Sequence, residues 1–213
     1  MKIKAEVLVE INGEEVYRGQ SKSLVQNFAK MIVAVLKGPA YAAWTERGTK
    51  SSTSLVDTNG SSVTAYAEWY ADYGSDQTRG GGVQMALNAP DNDDSFGICV
   101  GSGSTPVSVT DYKLSSKIPH GTGSGQLDYE THTVTSSYSG TYSYVEIARS
   151  FVNRSGADVM VKEIGLVART YWKDASGVAQ DIKWLMARDV LTTPILIPNL
   201  ASLTVRYRIS LSS

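Results

Sequence analysis

The chain has 213 residues, 20 of them basic and 21 acidic, and charged residues make up only 19% of it, below the roughly one quarter usual in globular domains. A near-neutral chain without a basic surplus argues against a nucleic-acid binder, and a single cysteine excludes an intrachain disulfide. No apolar run approaches the roughly 18 residues needed to span a bilayer, while the length suffices for one large all-β domain or two small ones and for a proper core.

The N-terminal residues alternate. Ile3, Ala5, Val7, Val9 and Ile11 fall on one side, with Lys2, Lys4, Glu6, Leu8 and Glu10 on the other, the period of a strand with one apolar face. That alternation lacks the continuous apolar segment of a signal peptide. Asn12-Gly13 follows. Both central residues of a type I′ turn need positive φ, which Asn and Gly adopt at least cost, so residues 14–18 are expected to return as the partner strand. SKSLVQNFAKMIVAVLKGP then reads as the one helix. Ser23 and Gln26 form a capping box, Leu24, Phe28, Met31, Ile32, Val35 and Leu36 share an apolar face, and Gly38-Pro39 ends it. Hairpin and helix make up an N-terminal element at about 1–40.

Residues 53–57 and 62–69 flank Asn59-Gly60 as a second hairpin. Two stretches, 71–95 and 115–140, show no period and read as long loops, which in compact domains bind something or lie against a neighbour. Between them GICVGSGSTP runs from a short apolar strand into glycines. In the last third, 143–152 reads as a strand, Asn153-Arg154-Ser155-Gly156 as a turn and 158–167 as the returning strand. Strands at 184–190 and 203–211 follow, the last with Leu203, Val205, Tyr207, Ile209 and Leu211 on one face. The expected fold is mainly β: an antiparallel β-sandwich, jelly-roll-like, with one amphipathic N-terminal helix, as a single domain over 1–213.

Candidate chemistry is sparse. GICVGSGSTP lacks the lysine of a phosphate-binding loop, and Pro106 stands where a dinucleotide fingerprint needs its third glycine, so it reads as a strand exit and tight turn. Cys99, in the apolar run Ile98-Cys99-Val100, lacks the electropositive setting of a reactive thiol and is expected buried. His120 and His132, with Asp128 or Glu130 nearby, do not show zinc spacing and read as solvent-exposed loop residues. No G-x-S-x-G elbow marks a serine nucleophile. Asp91-Asn92-Asp93-Asp94 offers oxygen ligands for calcium, but Phe96 and Ser102 stand where a calcium-binding loop requires glycine and glutamate. Asn59 and Asn153 head Asn-x-Ser sequons in turn-like settings. Tyr66, Trp69, Tyr70 and Tyr73 cluster, and amphipathic rings suit a protein interface or a sugar-stacking platform. No cofactor or metal is expected, and no enzymatic activity.

Three ordered segments carry a resemblance. They are Val100-Gly101-Ser102-Gly103-Ser104-Thr105-Pro106 continued by Val109-Thr110-Asp111-Tyr112-Lys113-Leu114, then Ile147-Ala148-Arg149-Ser150-Phe151-Val152-Asn153-Arg154-Ser155-Gly156 running through Val161-Lys162-Glu163-Ile164-Gly165-Leu166, and finally Met186-Ala187-Arg188-Asp189-Val190-Leu191 with Pro194 and the closing strand. Over about residues 97–211 this order resembles virion structural proteins of tailed phages and related prokaryotic viruses. The resemblance implies a particle component located in the virion (head decoration, vertex or tail-associated), working as a homo-oligomer among other virion proteins, with no catalytic residues to transfer. Glu163 and Arg188, within the matching segments, are expected between strands or across a subunit contact, and Tyr66, Trp69, Tyr70 and Tyr73 at an interface. No nucleic-acid or membrane partner is expected. The alternative reading is a glycan-binding host-adhesion module, with a surface glycan as partner for those aromatics and the Asp91–Asp94 loop.

Overall fold

A computed structural model describes residues 2–21, 23–37, 52–66, 84–139, 142–173 and 179–212. They form β1 (Lys2–Ile11), β2 (Glu14–Gln20), α1 (Gln26–Lys37), β3 (Ser52–Val56), β4 (Ser62–Tyr66), β5 (Gln84–Ala86), β6 (Gly97–Gly101), β7 (Asp128–Ser139), β8 (Tyr142–Val152), β9 (Val159–Lys173), β10 (Ala179–Ile197) and β11 (Ser202–Ser212). The chain is therefore mainly β, and its sheets are antiparallel. The larger sheet has the order β2-β1-β11-β8-β7. The smaller has β10-β9-β5, with β6 also paired to β9, and β3–β4 is a separate hairpin.

The two sheets share one core, to which Val7, Val9, Phe151, Leu203 and Val205 contribute from the first and Ile98, Val100, Ile164, Leu166 and Leu185 from the second. Polar bonds cross it too: Tyr207 donates to Asp189 at 3.0 Å, and burial together with the Asp189 charge holds the Tyr207 hydroxyl well above its usual pKa. Backbone links connect the sheets at both sides. After β2, Ser23 O accepts from Arg188 N (3.1 Å) and Val25 N donates to Met186 O (3.0 Å). On the other side His132 N reaches Ala89 O (3.3 Å) and Asn92 N reaches Tyr129 O (2.9 Å).

The first hairpin forms as its sequence requires, with Asn12 at φ 51° and Gly13 at φ 86°. Around Asn59-Gly60 the loop is wider: Val56 pairs with Ser62, and Asp57 closes the turn by accepting from Asn59 N and Ser61 N, an Asx-type device.

Several expectations change. Strands 143–152 and 158–167 do not make a hairpin, because β8 pairs with β7 and β11 whereas β9 pairs with β10, β5 and β6. Asn153-Arg154-Ser155-Gly156 is a corner between sheets. Asn153, fully buried, donates to Ala157 O (2.8 Å) and Ile197 O (2.9 Å) and accepts from Ser155. Turn chemistry of this composition serves a corner as well as a hairpin, so the residues alone do not choose.

The stretch 115–140 is half strand: β7 occupies Asp128–Ser139, whose Thr/Ser-rich sequence hides the alternation. The helix begins at Gln26 rather than at Ser23: Ser23 O and Val25 N bond to β10, and Gln26 N, the N–H that a capping box would give to the Ser23 hydroxyl, donates instead to Val109 O at 2.8 Å. Its buried face carries Asn27, Met31 and Ala34, with Phe28 packed beside them, while Leu24 and Ile32 are exposed. Asn27 is inside because its amide pairs with both backbone groups of Val56 (2.7 and 3.1 Å) and so docks β3 on α1.

Candidate functional site: two buried arginine clasps

The three resemblance-bearing segments meet around Glu163 and Arg188. Gly165 lies opposite Arg188 in the β9–β10 register, so Glu163, two residues along, is a diagonal same-face neighbour of Arg188. Asp189, the next residue along β10, faces the first sheet through Tyr207. Arg188 and Glu163 therefore face the other way, beneath the irregular segment that follows β6.

Their side chains are 2% and 0% exposed and joined at 2.7 Å. Arg188 Nη1 reaches Asp111 at 2.8 Å and Nη2 donates to Thr105 O at 2.9 Å. Glu163 accepts from the backbone N–H of Gly103 (3.2 Å), Ser115 (3.1 Å) and Ser116 (2.6 Å). A side chain on Gly101 would place its Cβ 2.6 Å from Glu163 Oε1, and Gly103 lies closer still, so these glycines let the backbone approach the carboxylate. Burial works to lower the Arg188 pKa, but Asp111 and Glu163 outweigh it and hold the guanidinium above its usual value. A buried ion pair costs desolvation unless its remaining valences are met. Here they are met by the chain itself, and the product is a fixed course for residues 102–116, whose outer members 104–110 are exposed.

A second clasp sits on the core-facing side of β8. Arg149 Nε donates to Glu130 O (2.7 Å), Nη1 to Phe96 O (3.4 Å) and Ile98 O (3.2 Å), and Nη2 to Pro90 O (3.1 Å) and Asp93 O (2.7 Å). Its guanidinium stands 4.7 Å from the Tyr129 ring centroid, and Tyr129 meets Phe151 edge-on at 4.7 Å. Tyr129 in turn donates to Ile118 O at 2.6 Å. Arg149, Phe151 and Asn153 thus fall at successive inward positions: Arg149 and Asn153 each tie a different loop to the sheet, and Phe151 packs on Tyr129 between them.

His132 completes this region and corrects the expectation of an exposed histidine. It lies buried in β7, accepting from Ile98 N at 2.6 Å and donating from Nδ1 to Ala89 O at 3.2 Å. Burial first, and the Arg149 charge second, lower its pKa to about 4. His120 is half-buried, accepting from Tyr129 N and lying 3.5 Å from Asp128, which itself pairs with Arg154. Cys99 is buried, as expected, and burial pushes its thiol up to about 12, far from a reactive thiolate.

In the acidic run, Asp93 accepts from Ser95 N and Asp94 holds Lys117 (3.0 Å) and His120 N (2.8 Å). Burial opposes ionisation of Asp94, but those two bonds outweigh it and lower its pKa. Among the described residues no three His, Cys, Asp or Glu side chains converge as a metal site requires. Asn153 is fully buried, which bars its sequon from modification in the folded chain. Trp69, Tyr70, Tyr73 and the Tyr66 side chain lie outside the described residues.

Sequence reasoning singled out Glu163 and Arg188 but passed over Arg149, Asp111 and His132 as anchors. A signal for Arg149 existed: it interrupts the apolar period Ile147-x-Arg149-x-Phe151, as Glu163 interrupts Val161-x-Glu163-x-Gly165, and a charge on an apolar face implies a partnered interior charge. Comparison with models of known protein families, with curated proteins and with solved structures returns no match to this chain.

Proposed function

We propose that the chain is a non-enzymatic virion structural protein, a decoration, vertex or tail-associated component whose work is repeated protein–protein contact. The observation that carries this reading is the Glu163–Arg188–Asp111 clasp, in which charged residues of all three resemblance-bearing segments are consumed in fixing a surface loop. A charge cluster that is buried and saturated by its own backbone stabilises shape; a catalytic centre keeps a group free for substrate. The loop so held exposes Ser104, Thr105, Pro106, Val107 and Val109, small and apolar groups suited to contact with another surface. We also read the architecture as a jelly-roll-like sandwich: β9 and β10 pair with each other while β8 and β11, which flank them in sequence, pair outside them, the nested connection a jelly roll repeats.

The test is quantitative mass spectrometry of density-purified virus particles from the source of the sequence. The chain should co-purify with the major capsid or tail proteins in fixed stoichiometry and resist a salt wash. Its absence from such particles, with the protein found free, would sink the proposal.

A further inference from the structure

The larger sheet ends on a strand, β7, whose second half is exposed on both faces. β7 forms one edge of the sheet, paired to β8 alone among the described strands. Its first half is covered, since Tyr129 O and His132 N bond the 89–92 segment. From Thr133 to Tyr138 every residue is exposed, whichever face its side chain takes. On the core-facing side, Val134 is 53%, Tyr138 78%, and Val145 and Ile209 each 41% exposed. The register places Ser136 beside Val145 and Val145 beside Ile209, so these residues form one apolar strip running in from the bare edge.

The two edges of this sheet are built differently. β2 carries Glu14, Glu15 and Arg18, and its pairing with β1 shifts register at Val9/Glu10. Charges and irregularities of this kind block strand addition. Residues 133–139 of β7 read TVTSSYS, without a charge or a proline, and an uncharged edge strand that, among the described strands, pairs on one side only is a template for another strand.

We propose that this edge pairs with the same edge of a second copy of the chain, β7 running antiparallel to β7 about a two-fold axis, so that two five-stranded sheets become one continuous sheet. The occupant follows from the sequence of the edge. An isologous contact sets a segment against itself, residue i against j and j against i, so charges of one sign within it would be gathered in duplicate at the seam. This segment has none, and it offers Thr133, Thr135 and Ser137 on one face for cross-strand hydroxyl pairs. The axis also brings the two Val134–Tyr138 strips side by side, covering apolar surface on both copies. The proposal deepens the particle reading, of which self-association is a part, but its geometry stands without that reading.

The test is light scattering of the size-separated full chain over a hundredfold concentration range, for the wild type and for Thr135→Lys/Ser137→Lys. Both side chains are exposed, and lysine is well tolerated on edge strands, so circular dichroism and the thermal midpoint of the monomer serve as the folding control. The wild type should reach twice the chain mass. The lysine variant should weaken dimerisation at least about tenfold, and mixing it with Thr135→Glu/Ser137→Glu should restore the doubled mass. A wild type that stays monomeric overturns the proposal, as does a lysine variant that assembles like the wild type or an opposite-charge mixture that stays monomeric. Loss of the chain from purified particles would remove the functional reading and leave the edge pairing intact. A lysine variant that still assembles would do the reverse.

Discussion

Arg149 carries a positive charge into the core, and its hydrogen bonds end on five backbone carbonyls. Each carbonyl left without its donor costs about 1–3 kcal/mol. Arg149→Met should therefore lower the urea-unfolding free energy by at least about 3 kcal/mol, and Arg149→Lys should recover only part of it, because an ammonium cannot reproduce the planar fork. His132 makes a prediction of opposite character, in pH. Its folded pKa of about 4 lies below the ordinary histidine value, so the unfolded chain binds the extra proton first. Stability is then full above about pH 6.5 and falls as pH drops from there towards 4, by roughly 3 kcal/mol in all. Equilibrium unfolding at stepped pH should show that slope in the wild type, and a flatter line over the same window for His132→Gln. A wild-type curve without the slope would refute the buried neutral imidazole.

At the level of elements, the Glu163–Arg188 pair matters for what it holds. Residues 102–116 have little regular structure, and their course depends on two side chains beneath them. Glu163→Gln and Arg188→Met should leave the sheet signal in circular dichroism largely intact while speeding proteolytic cleavage within 102–113 severalfold, since local opening sets that rate. Global unfolding without selective cleavage would place the pair in the core and detach it from the loop.

The Asn12-Gly13 hairpin is legible because both residues need positive φ and nothing distant competes. β7 is hidden because Thr and Ser suit strand and loop alike, and its strand state comes from pairing with β8. The helix start is misread because distant carbonyls, Met186 O and Val109 O, take the Val25 and Gln26 N–H groups that a cap at Ser23 would have satisfied. For the sheet-crossing corner at Asn153, the deciding partner is Ile197 O, 44 residues away, beyond the reach of any local pattern. Of the candidate site, Glu163 and Arg188 could be singled out, but not the loop they grip, because a diagonal pair becomes visible only once the β9–β10 register is known.

For the molecule as a whole, the governing fact is the pairing of β1 with β11 along the whole of β1, from Lys2 opposite Ser212 to Ile11 opposite Leu203. The larger sheet cannot close until residues 202–212 take their place between β1 and β8. Such non-local pairing places folding in the slow, millisecond-to-second class.

That same register also decides how the chain responds to force. Lys2 and Ser212 sit side by side at one end of two antiparallel strands, so a pull applied through these two positions acts across the strands. The load falls on one hydrogen-bonded pair at a time, and the ladder peels open from that end; strands pulled along their length would share the load over the whole ladder. In an optical trap, the chain stretched by handles at these positions should yield at low force. Handles at Lys2 and Leu203, opposite ends of the same ladder, should load the pairs together and raise the rupture force severalfold.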